Sequence, residues 1–334
     1  MQLAYSIPPP FIFQLMASAV TVPPNPPTKH HYIPVFYLKR WAGSDGRLCQ
    51  YMNPIPGKIA AVRRAPSATG FLHRVYEMRG FRPELAQQVE TMFFQPVDSE
   101  ANDALVLMEK YGNRAAWTEP LRSAWTRFIL SLLVRLPEDV ALFRQLYFDL
   151  FYKSDPTIEA EYQARRKQGE PETYLDFSAA MPLSVIEQHM FEMYFDLIDN
   201  ANVGSHINKM TWRVFNFPEH CHPLLTSDRP VIRTNGLERP GTHIALPIGP
   251  RRLFVASIDP DVINELLSRK PSILAREVNK LTVESAARYV YGVDDQQLRF
   301  VSNRFGKTPV PRVMVDVIAR QRAREDRSSP PHTA

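Results

Sequence analysis

Cysteine is nearly absent from this sequence, with only Cys49 and Cys221 among 334 residues. So few cannot build a disulfide framework, so a hydrophobic core must hold the fold, and a reducing, cytoplasmic setting is the expectation. Glycine is also scarce, at 13 residues. No Gly-rich phosphate loop occurs, which argues against the P-loop and dinucleotide-binding classes. No apolar run reaches the length of a membrane-spanning helix, so no membrane partner is expected. Nucleophile elbows and kinase signatures are missing as well. His220-Cys221-His222 looks like a soft-metal tract but has no second ligand cluster at zinc spacing, so neither a metal nor a cofactor is implied. A strong charge bias is lacking too. The net charge of +5 permits a phosphate-bearing ligand or nucleic acid as partner without requiring one.

Proline is plentiful: the 30 prolines gather at both ends and at segment boundaries. Residues 1–28 read as a flexible, Pro-rich arm. Within them Phe11 to Val20 imitates a signal-peptide core, yet no positive charge precedes it, and Met16 offers an internal start that leaves residues 1–15 upstream. Residues 29–292 form one expected α+β domain, and 293–334 a basic, partly disordered extension. In that domain a small β element comes first. A central helical block follows, with helices expected from Pro83, over 98–111 behind an Asp98-Ser99 cap, from Leu121 to Leu136, over 138–152 and around Met190–Ile198. An antiparallel β block comes next, with strands at 211–217, 223–232, 244–248 and 253–256. Closing helices complete the order, one capped by Asp259 or Asp261 and one running from Ser272 to Tyr291. Runs of helices and runs of strands favour α+β over a doubly wound sheet.

The stretch Lys29–Trp41 stands out, with adjacent histidines, a proline suited to a helix start and a dense aromatic run. His30-His31-Tyr32-Ile33-Pro34, Phe36-Tyr37-Leu38 and Asp45-Gly46-Arg47-Leu48 with Tyr51 resemble the opening signature of domain-of-unknown-function family 4238. The resemblance extends through Val89–Phe93, Arg135-Leu136-Pro137, Trp212, Thr226-Ser227-Asp228-Arg229-Pro230 and Asn279 to Gly292, and so covers about 29–292. It implies kinship and no particular activity.

His30 and His31 are candidate acid–base groups, and Asp228 a candidate base or orienting partner, with His31 expected beside it. Tyr32, Arg135, Ser227, Arg229 and Asn279 are candidate substrate-binding residues, and Glu90 the expected ion-pair partner of Arg135. Two readings follow. One is a hydrolase acting on a phosphate-bearing or nucleic-acid substrate through histidine and aspartate. The other is a non-catalytic binding or interaction protein in which these residues are structural. Asp228 suits the second as a carboxylate in a turn, accepting main-chain N–H groups.

Overall fold

The computed structural model describes residues 26–308, apart from 235, 236 and 238, together with residue 313. The N-terminal arm, except 26–28, and most of the C-terminal extension lie outside the described residues. In chain order the elements are β1 (Lys29–His31), α1 (Val35–Leu38), β2 (Leu48–Ile55), β3 (Lys58–Arg64), β4 (Phe71–His73), α2 (Pro83–Ala86) and α3 (Gln95–Tyr111). Then come α4 (Glu119–Leu132), α5 (Pro137–Phe151), α6 (Pro156–Arg165), α7 (Tyr174–Ala180), α8 (Leu183–Ile198) and α9 (Ala201–Lys209). The remainder is β5 (Thr211–Asn216), β6 (Thr226–Ser227), β7 (Ile232–Arg233), β8 (His243–Gly249), β9 (Arg252–Ser257), α10 (Pro260–Ser268), α11 (Pro271–Ser285), β10 (Tyr289–Gly292) and α12 (Leu298–Ser302). A small β element, helices, antiparallel strands and closing helices therefore follow one another in the expected α+β order.

The chain folds into two compact units, each assembled from separated segments. Of the described residues, the first takes in 26–30, His73–Gln95 and Val140–Asp196. It is helical, and its half-buried Arg144 guanidinium makes a two-pronged bond to the fully buried Glu187 carboxylate at 2.8 and 2.9 Å. Phe93 and Phe195 stack with ring centres 4.0 Å apart.

The second unit takes in His31–Leu72, Pro96–Asp139 and the described residues from Leu197 onward. It carries two four-stranded antiparallel sheets, in the orders β3-β2-β10-β6 and β5-β9-β8-β7. In the second sheet the apolar positions of β8 and β9 pack with Leu274, Ala275 and Val278 of α11 into a core. Helix α4 begins at Thr118, whose hydroxyl accepts the Leu121 N–H, with Pro120 in its first turn where a missing N–H costs nothing. Its inward face buries Trp125, Phe128 and Ile129.

Of the boundaries that differ from the sequence reading, two bear on the motifs. The helix expected from Ser272 to Tyr291 stops at Ser285, and Tyr289–Gly292 is instead a strand between β2 and β6. Tyr-Val-Tyr is a strong strand former, and the pairing with Cys49–Met52 recruits it. Asp98 does not cap a helix. Helix α3 already begins at Gln95, continuous with a wide turn over Val89–Phe94, which frees the Asp98 side chain for another role.

Candidate functional site

The first motif is seated by main-chain bonds. The Tyr32 and Ile33 N–H groups both donate to the carbonyl of Gly70, at 2.9 and 3.1 Å. Gly70 has φ +66°, and a Cβ there would sit 3.1 Å from the Ile33 carbonyl oxygen, so only glycine fits this cradle. Pro34 precedes α1, and the apolar run after it buries Tyr37, Leu38 and Trp41 completely. The Tyr37 hydroxyl donates to the Pro247 carbonyl at 2.6 Å and lies 2.7 Å from Thr226 Oγ1.

His30 belongs to the first unit and is fully buried. Its Nε2–H donates to the Pro27 carbonyl at 3.1 Å, and Nδ1 accepts the Tyr76 N–H at 3.0 Å. Its ring stacks on Tyr76, 5.4 Å away and within 6° of parallel. Accepting at Nδ1 needs the neutral ring, and burial lowers its pKa from 6.5. The folded state then binds fewer protons than the unfolded chain, so this stabilisation is complete above pH 6.5 and is lost as pH falls through the folded pKa. Urea melts over a pH series should show stability falling in acid, with part of the slope absent in His30→Gln. An identical slope in the variant would rule the assignment out. His243, whose pKa burial also lowers, adds slope of the same sign in both proteins, so the difference isolates His30.

The remaining predicted site residues lie in the second unit. Asp228 is completely buried. One carboxylate oxygen accepts the Ala287 N–H at 2.9 Å, and the other accepts those of Arg288 and Tyr289. A histidine is not among these partners. Burial pushes the Asp228 pKa up to about 6, against the pull of the three N–H groups. Its own N–H donates to the Tyr289 carbonyl at 3.1 Å, which locks the second motif to the start of β10. Ser227 Oγ accepts the Arg229 N–H at 3.1 Å, closing the turn, and the Arg229 charge acts on Asp228.

Asn279, on α11, accepts the Leu225 N–H at 2.8 Å and donates to the Pro223 carbonyl at 2.9 Å. His31 is half-buried; its ring packs against Phe71 and its carbonyl accepts Arg135 Nη2 at 2.9 Å. Arg135 also meets Asp98 at 2.7 and 3.2 Å, a two-pronged pair that the residue pattern did not single out. The structure does bring the two motifs together, through Tyr32. Its ring is buried, and its hydroxyl has no hydrogen-bond partner among the described residues. Burial, then the charge of Asp228, holds its pKa well above the usual tyrosine value, while Arg288, paired with Glu138, pulls the other way.

A family model described as protein of unknown function (DUF4238) matches residues 29–296. The chain belongs to this family. No curated protein and no solved structure matches it. In this DUF4238 chain no group of three or more metal-ligating side chains forms among the described residues, and no described helix is long and apolar enough to cross a membrane.

Sequence reasoning passed over a second feature of the same unit. A cleft of about 360 Å³ opens beside the outer edge of β5, lined by Trp117, Arg122, Trp212, Arg213, Met108 and Met210 among others. Asn113 spans both polar groups of Val214 on that edge, accepting its N–H at 2.7 Å and donating to its carbonyl at 3.0 Å. Arg122 gave no signal in sequence, because an arginine in the first turns of an amphipathic helix reads as solvated surface.

Proposed function

We propose that this DUF4238 chain is a non-catalytic binding protein, and that its motif residues fasten main chain to main chain. The observation that carries this reading is Asp228. A completely buried carboxylate whose two oxygens already accept three main-chain N–H groups has about one of its four lone-pair sites left and no exposed surface on which to meet a substrate. His30 supports it in the same way, with both ring nitrogens bonded to backbone. Buried, unpaired Cys49 and Cys221 fit a reducing cytoplasm.

One observation favours the alternative, hydrolysis of a phosphate-bearing or nucleic-acid substrate. It is the unbonded Tyr32 hydroxyl in the field of Asp228, Arg288 and Glu138. Tyr32→Phe separates the two readings without disturbing the ring. For a binding protein the variant should be as stable as the parent or more so, by up to ~1 kcal/mol, because a buried hydroxyl without a partner is removed. Neither protein should turn over bis(p-nitrophenyl) phosphate or a single-stranded oligonucleotide. Turnover by the parent that Tyr32→Phe loses while remaining folded would establish hydrolysis instead.

A further inference from the structure

The motif cluster is sealed from solvent, so a ligand surface has to be sought elsewhere, and the cleft beside β5 has the features of one. Arg122 is fixed before any ligand arrives. Its Nε donates to the Asn208 carbonyl at 2.7 Å and its Nη2 to the Met210 carbonyl at 2.6 Å, capping the C-terminal end of α9. Its guanidinium carbon lies 3.9 Å from the centre of the Trp212 ring. The third nitrogen, Nη1, bonds no described residue and is not sealed in the interior.

Arg213, exposed on the strand, donates to the carbonyl of Trp212. Neither guanidinium has an acidic side chain within 4.0 Å among the described residues. The cleft lining holds two cations and no carboxylate. Half-buried positive charge without a counter-ion favours an incoming anion, and a guanidinium already held in place loses little freedom on binding it.

The other walls fix what the anion must be attached to. Trp117 is half-buried and stands edge-on to Trp212, ring centres 4.8 Å apart and 86° between planes. With Met108, Met210 and Phe254 behind it, it adds an aromatic wall to a cleft larger than a bare oxyanion needs. The volume falls within the range of small-molecule sites. We propose that this cleft binds a small organic anion built on a flat ring, its phosphate or carboxylate on Arg122 and Arg213 and its ring against Trp117. The cleft shares no lining residue with the Tyr32–Asp228 cluster, so the fate of this proposal is independent of how the motifs are read.

Tryptophan fluorescence of the full chain, titrated with adenosine monophosphate, indole-3-acetate, adenosine and inorganic phosphate, provides the test. At least one of the two ring-bearing anions should quench saturably and bind at least about tenfold more tightly than either adenosine or phosphate. The phosphate and carboxylate arms identify which anion the arginines prefer. Arg122→Gln should abolish the response, but it also removes the cap on α9. Arg213→Gln and Trp117→Ala, which alter only exposed or half-buried positions, should each weaken binding about tenfold while leaving the melting curve in place. The proposal fails if neither anion saturates, if adenosine or phosphate alone binds as well, or if Arg213→Gln and Trp117→Ala bind like the parent.

Discussion

Replacing Arg135 with methionine is expected to destabilise the protein by about 3–5 kcal/mol, one of the largest losses from any single side chain here. Arg135 is completely buried, and two of its nitrogens hold both oxygens of Asp98 while one also holds the His31 carbonyl. Methionine preserves volume but leaves a half-buried carboxylate without its cation and a carbonyl without its donor. Burial already raises the Asp98 pKa, with the guanidinium working against it, so the carboxylate would be driven towards its neutral form once the arginine is gone. Asp98→Leu alone should be at least as damaging, since it strands a buried cation. The double variant should recover part of the loss, because replacing both partners removes the uncompensated charge. Equilibrium denaturant melts decide this. An unchanged midpoint for Arg135→Met would remove the pair as a stabilising feature, and strictly additive single losses would show that the two side chains act independently.

Asp228→Ala is expected to cost about 3–5 kcal/mol as well, because three main-chain N–H groups would lose their acceptor at once and a fully buried side chain would be removed. Asp228→Asn is the finer probe. An amide presents one accepting oxygen where the carboxylate presents two, so its NH₂ must face at least one main-chain N–H, and a loss of about 2 kcal/mol follows. The pH dependence has a definite sign. Burial raises the folded pKa to about 6 from 3.8, so the folded state holds the proton more tightly than the unfolded chain. The contribution is fully present below pH 3.8 and is lost as pH rises through about 6. The parent should therefore lose ground to Asp228→Asn as pH rises through that window. A gap between the two that narrows towards acid would reverse the assignment. The sign is opposite to that of His30 and the two windows overlap, so the contributions offset each other in the parent and the single variants are what separate them.

The secondary structure was legible where periodicity is strong and local. Leu121, Trp125, Phe128 and Ile129 mark α4, and the alternation over 211–217 marks β5. Strand β10 was not legible, because four residues following a 15-residue helix carry no period of their own, and what makes them a strand is pairing with residues 49–52. The same reason governs the candidate site. The His-His-Tyr and Thr-Ser-Asp stretches announce themselves by composition, and Tyr32 does come under the charge of Asp228. That the carboxylate is already committed depends on the chain bending back some sixty residues later at 287–289, which no local pattern records. Asp98 misled for a related reason: an acidic residue followed by serine is a good cap signal, and only the tertiary fold shows that a helix already runs through it.

The strand order β3-β2-β10-β6 also has a consequence for synthesis. Strands β2 and β3 form a hairpin that can close as soon as both have emerged, but the strand that belongs on the other edge of β2 is encoded about 240 residues later. Until that stretch is made, β2 presents an open edge carrying Leu48, Cys49 and Tyr51, side chains that the finished protein hides completely. Closing a loop over such a span costs chain entropy and waits on synthesis, so the nascent chain passes through a long interval in which these side chains are uncovered. A translation product ending before residue 289 never leaves that interval. Quality control would meet it as an unfinished sheet even though up to 288 of these 334 residues had been made.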